Sequence, residues 1–77
     1  MYKTIIRLKE VRTSSIIEAA FDTRLSFSEN FTLLGQLLDI DLTNAQVYDP
    51  YKKIFLDRNI ALSEFGFSRL IFLHLLI

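Results

Sequence analysis

The 77-residue chain has no cysteine and no tryptophan, one proline, one histidine and no net charge. Each shortage removes a class of protein. Without cysteine there is no disulfide framework, and one histidine with no thiol beside it argues against a structural zinc site. Nine basic residues balanced by nine acidic ones lack the concentrated Lys/Arg face that displaces counterions from nucleic acid. No nucleic-acid partner is therefore expected. Gly35 and Gly66 stand alone, so there is no phosphate-cradling loop. No serine lies in a Gly-x-Ser-x-Gly elbow. The longest apolar run, Leu70 to Ile77, falls far short of the roughly 20 residues a spanning helix needs. Direct membrane insertion is not expected, and Met1-Tyr2-Lys3-Thr4 leads straight into an alternating segment with no leader-like pattern.

What remains is 51% hydrophobic. A chain of this size buries only about 60% of its unfolded surface, so the core must be built efficiently from Ile, Leu and Phe. The length predicts a single domain over residues 1–77. Zero net charge with positive mean hydropathy lowers solubility and favours a protein that works bound to another. The absence of cysteine is compatible with a cytoplasmic location.

Along the chain the hydrophobic period changes twice. Thr4, Ile6 and Leu8 alternate with Lys3, Arg7 and Lys9, as in a half-buried strand. Ile5 places an apolar group on the polar side. After the polar link Val11 to Ser15, alternation resumes with Ile17, Ala19, Phe21, Thr23 and Leu25 against Glu18, Asp22 and Arg24. Two such runs predict an antiparallel hairpin. Ser26 and Glu29 have the spacing of a capping box, with Ser28 a rival N-cap. Phe27, Phe31, Leu34, Leu37 and Leu38 then form one helical stripe. Asp39 and Asp41 oppose the helix dipole and predict an end near Ile40. Gly35, costing ~1 kcal/mol against alanine inside a helix, is expected where a strand approaches closely. Ala45 to Tyr48 and Lys53 to Leu56 predict two short strands about a turn at Asp49-Pro50. Leu62 to Phe67 fits a single 3₁₀-like turn. Ile71 to Ile77 is the strongest strand signal. Apolar on both faces, it belongs in the middle of the sheet, parallel to the first strand. The expectation is an α+β fold in ββαββ order, a mixed sheet of four to five strands with one helix on one face.

Ala61-Leu62-Ser63-Glu64-Phe65-Gly66-Phe67 followed by Phe72-Leu73-His74-Leu75-Leu76-Ile77 resembles the last third of ubiquitin, where a Leu-Ser-acidic-aromatic turn precedes a Leu-His-Leu strand. Within the ubiquitin-like β-grasp group the chain looks most like the small YukD/EsaB-type proteins that accompany type VII (WXG100) secretion systems. Phe21-Asp22-Thr23-Arg24-Leu25-Ser26 is similar to their motif before the helix. The resemblance implies a ubiquitin-like, non-catalytic protein-binding module, an accessory or regulator of secretion. Ubiquitin and the β-grasp sulfur carriers end in a slim tail closing with two glycines. This sequence closes on Leu76-Ile77, so conjugation and sulfur transfer are not expected.

The polar clusters carry no recognisable chemistry. His74 has no second ligand or orienting carboxylate in its segment, so no catalytic or metal role is expected. Asp39 and Asp41 lack the oxygen count of a calcium loop. No cofactor is expected. Lys52-Lys53 fits a solvated sheet edge that discourages aggregation. The positive signal is an apolar excess on the sheet face away from the helix, carried by Ile5, Tyr48, Phe72, His74 and Leu76. Such a patch on neighbouring strands predicts a protein-interaction surface. Its occupant is left open between a heterologous partner, such as a secretion component, and a second copy. A free-standing ubiquitin-like adaptor or dimeric scaffold unrelated to secretion is the rival reading.

Overall fold

A computed structural model describes residues 2–67 and 71–77. β1 (Lys3–Glu10) and β2 (Ile16–Asp22) form the predicted hairpin, followed by α1 (Phe27–Leu38), β3 (Gln46–Asp49), β4 (Ile54–Phe55), a 3₁₀ turn (Leu62–Phe65) and β5 (Ile71–Leu76). The sheet runs β2-β1-β5-β3-β4. β5 lies between β1, to which it is parallel, and β3, to which it is antiparallel. The central position expected for the apolar last segment is the one observed. Leu70, which begins that run, lies outside the described residues.

Alternation in β1 puts Ile6 and Leu8 on the helix side, fully buried, and β5 adds Leu73 and Leu75. Phe21 of β2 meets Phe27 and Phe31 of α1 edge-on, with ring centroids 6.0 and 6.1 Å apart. Each such side chain contributes about 1.5–3 kcal/mol on burial, and aromatic pairs at this geometry add to that. Leu62 of the 3₁₀ turn and Leu42 and Leu56 of the loops close the remaining side.

The capping box forms at Ser26. Its Oγ accepts from the Glu29 N–H at 3.1 Å, and its own N–H donates to Glu29 Oε1 at 3.0 Å. The helix stops two residues earlier than expected. Asp39 takes the left-handed conformation (φ 55°), its N–H and that of Ile40 both donate to the Gly35 carbonyl, and Leu38 is the last helical residue. This is the 6→1 closure of a Schellman-type terminus.

Three expectations are corrected here. Gly35 is not approached by a strand. A Cβ at that position would stand 2.7 Å from the carbonyl oxygen of Ile40, so its small size admits the chain's own return. Leu37 and Leu38 do not belong to the buried stripe. Leu37 is 83% exposed, because its azimuth lies well to one side of the Phe27–Phe31–Leu34 row, and the returning segment brings Leu42 into the core where Leu38 was expected. Thr23 and Leu25 fall in the turn after β2 and not in the strand.

Candidate functional site

The helix leaves one face of the sheet uncovered, and strand parity decides what stands there. On β5 the inward set is Ile71, Leu73 and Leu75, so Phe72, His74 and Leu76 point the other way. Register places Tyr48 opposite His74, Phe55 opposite Tyr48, and Gln46 opposite Leu76. The result is a row of rings across three strands. Phe55 and Tyr48 meet edge-on at 5.0 Å, Tyr48 and His74 stack at 6.2 Å, and His74 and Phe72 meet edge-on at 6.0 Å. Phe55 is 56% exposed at one end, while Tyr48, Phe72, His74 and Leu76 are half-buried against one another.

Of the five residues predicted for an interaction surface, the structure brings Tyr48, Phe72, His74 and Leu76 onto adjoining positions. Ile5 shares the face, two residues before Arg7, which lies opposite Phe72. It lies opposite Ala20 on β2, and its lateral neighbour toward β5 falls outside the described residues. Sequence reasoning does not reach Phe55 or Lys9. A two-residue strand has no period to read, so only its pairing with Tyr48 reveals which way Phe55 points. Lys9 lies opposite His74 on β1. The neighbouring Arg7 pairs with Glu18 at 2.9 Å, whereas Lys9 has no ion-pair partner among the described residues. The surface is therefore apolar and aromatic with the Lys9 cation on its flank.

Other polar groups serve the fold. Asp41 Oδ1 accepts from the Thr43 N–H at 3.0 Å, and Thr43's hydrogen bonding holds the Asp41 carboxyl below its ordinary range. Asp39 is the helix cap already described. Among the described residues no three His, Asp or Glu side chains converge as a metal site would require. Glu10 is buried at the end of β1 and fastens the β1–β2 link. Its Oε2 accepts from both the N–H and the Oγ1 of Thr13 at 2.7 Å, which lowers its pKa despite desolvation. A depression lies between α1 and the segment after it. Arg58 crosses it, donating to the Thr43 carbonyl at 2.8 Å and to Ser28 Oγ at 3.3 Å. Asp39 and Asp41 also line this groove, but the first is the helix cap, the second holds the turn at Thr43, and Arg58 is already engaged, so the groove is a weaker candidate than the ring-bearing face.

No family model matches the chain, and no curated protein matches it significantly. Solved structures do. The UBL domain of Plasmodium falciparum Dsk2 superposes with a TM-score of 0.74 at 14% identity, covering 96% of each chain. The C-terminal ubiquitin-like domain of mouse tubulin-specific chaperone e gives 0.68 at 15% identity, over 96% of this chain and 84% of that one. The ubiquitin-like domain of the Mycobacterium tuberculosis type VII secretion system protein ECCD1 gives 0.65 at 14%, covering all of both. The fold is ubiquitin-like. In that frame the ring-bearing face is the open side of a β-grasp sheet, and α1 is the helix the sheet grips. No helix among the described residues is long and apolar enough to cross a membrane.

Proposed function

We propose that residues 1–77 act as one ubiquitin-like interaction module, without catalysis, by docking the open sheet face on another protein. The observation that carries this is the continuous row Phe55, Tyr48, His74, Phe72, with Leu76 beyond it and Lys9 beside it. Aromatic anchors ringed by polar groups are what interface hot spots are made of. The matching ligand surface is an apolar segment with a carboxylate placed to meet Lys9.

The finer reading is a cytoplasmic accessory or regulator of a type VII secretion system, of the YukD/EsaB type. The sequence resemblance at Phe21 to Ser26 supports it, as does the likeness to the mycobacterial secretion-protein domain. The rival is a ubiquitin-like adaptor unrelated to secretion, supported by the likeness to the Dsk2 and tubulin-chaperone domains. Affinity capture from the native cells separates them. Secretion-system components are expected with the wild-type chain and lost with folded Phe72→Asp and Leu76→Asp variants. Unchanged capture by both variants would sink the docking face. Capture that depends on the face but contains no secretion component would favour the adaptor.

A further inference from the structure

The sheet has two edges, and they are built differently. β4 is two residues long and follows directly on Lys52 and Lys53, so one edge is short and guarded by charge. β2 at the other edge is seven residues long, with no proline, and with Ala19 and Ala20 at its centre. The Glu10 N–H donates to the Ser15 carbonyl at 2.8 Å and the Thr23 N–H to the Tyr2 carbonyl at 2.7 Å. Antiparallel alternation between these two bonds turns the backbone groups of Ile17, Ala19 and Phe21 toward β1. Those of Ile16, Glu18, Ala20 and Asp22 turn outward. Asn30 of α1 occupies the last of these, accepting from the Asp22 N–H at 2.8 Å and donating to its carbonyl at 3.0 Å. Ile16, Glu18 and Ala20 face no strand among the described residues.

Above this edge α1 overhangs two exposed leucines. Leu33, 55% exposed, and Leu37, 83% exposed, line a shallow groove whose floor is Ala20, Phe21 and Asp22. An open ladder beside an unpartnered leucine pair is a surface made to continue.

We infer that the occupant is a second copy of this chain, joined β2 to β2 in antiparallel register about a two-fold axis at Ala19. The sequence Ile16-Ile17-Glu18-Ala19-Ala20-Phe21-Asp22 is complementary to itself in that register. Glu18 falls opposite Ala20 of the second copy and exchanges both backbone hydrogen bonds with it. Ile17 falls opposite Phe21, and Ile16 opposite Asp22, so no like charges are opposed. With Asp22 held by Asn30, the new ladder bonds run between Glu18 and Ala20. Centring the axis on Glu18 would set that carboxylate against its own mate. Centring it on Ile17 would run Ala20 against Ser14, which lies outside the strand with φ 60°. Only the Ala19 register overlaps all seven residues. A two-fold axis perpendicular to the sheet places both helices on the same side, so Leu33 and Leu37 of one copy close over the edge toward those of the other. Glu18 is already neutralised by Arg7, and the chain's zero net charge sets no barrier to self-association. The interface is isologous and closed, and it leaves the ring-bearing face free on both copies.

Sedimentation velocity on the intact chain tests this, with Leu37→Glu, Ala20→Pro and Ala19→Cys. Wild type is expected at twice the mass of one chain. Leu37→Glu, at a solvent-exposed site, and Ala20→Pro, which removes an outward N–H, are expected to stay folded by circular dichroism and lose the dimer. The Ala19→Cys variant carries a single thiol, since the chain has no cysteine of its own. Paired Cα atoms at a non-hydrogen-bonded antiparallel position lie ~4.5 Å apart, within disulfide reach, so oxidised glutathione should link Ala19→Cys and leave Glu18→Cys unlinked. A monomer at every concentration overturns the inference. So does a dimer that survives Leu37→Glu, leaves the Ala19→Cys variant unlinked and is lost in Phe72→Asp, since it would lie on the sheet face.

Discussion

Asp22 ends β2 with its carboxylate and its backbone both engaged. Oδ1 accepts from the Arg24 N–H and Nε at 2.9 and 3.1 Å, Oδ2 from Nη2 at 2.8 Å, and Arg24 itself stacks over the Tyr2 ring at 4.3 Å. The Arg24 side chain thus lowers the Asp22 pKa from its ordinary 3.8 to about 2. A carboxyl depressed on folding stabilises the native state fully above its unfolded pKa, and that contribution disappears as the pH falls through the folded value. Thermal midpoints should therefore hold level down to about pH 4 and drop toward pH 2, and Glu10 and Asp41, both also lowered, contribute in the same direction. Asp22→Asn should reduce the steepness of that drop; an identical acid limb would remove Asp22 from the account. Gly35 sets two effects against each other. Alanine gains ~1 kcal/mol of helix propensity, but its Cβ meets a backbone oxygen at 2.7 Å that cannot swing aside. Overpacking of this kind costs about 1–3 kcal/mol, so Gly35→Ala should lower the urea midpoint and not raise it.

At the scale of elements, α1 shows what local sequence determines and where its reach ends. The Ser26/Glu29 box is spelled out in four residues, and its hydrogen bonds form between those same residues. Ser26→Ala should cost ~1 kcal/mol, a fall of about 4–8 °C in the midpoint for a domain this small. Wild-type stability in that variant would mean the cap contributes nothing. The far end escapes a spacing rule because it is decided by a tertiary event. The chain turns back at Asp39, Ile40 lies over Gly35, and Leu42 enters the core. Leucines that spacing alone assigns to one stripe thereby divide between the core, the helix end and the β2 edge. β1 and β2 are legible because period-two alternation survives over seven to eight residues, and β5 because its unbroken apolar run marks a strand with neighbours on both sides. β4 reads only as a short return, and with it the direction of Phe55 is lost.

Over the whole molecule, the sheet order follows from a single physical reading: a terminal segment apolar on both faces must be flanked by strands on both sides. That places Phe72, His74 and Leu76 outward and Tyr48 beside them. Lys9 and Glu10 are out of its reach, because the setting of a surface cation and of a buried carboxylate is defined by neighbours across strands and not by position in a pattern. The module that results separates its surfaces, with the helix on one side, rings on the other and an open ladder at β2. Chemical-shift mapping tests the central claim most directly, using the isotopically labelled chain titrated with the partner recovered by affinity capture. The account predicts perturbations concentrated at Lys9, Tyr48, Phe55, Phe72, His74 and Leu76. Perturbations confined to α1 and β2, with that row unmoved, would contradict it.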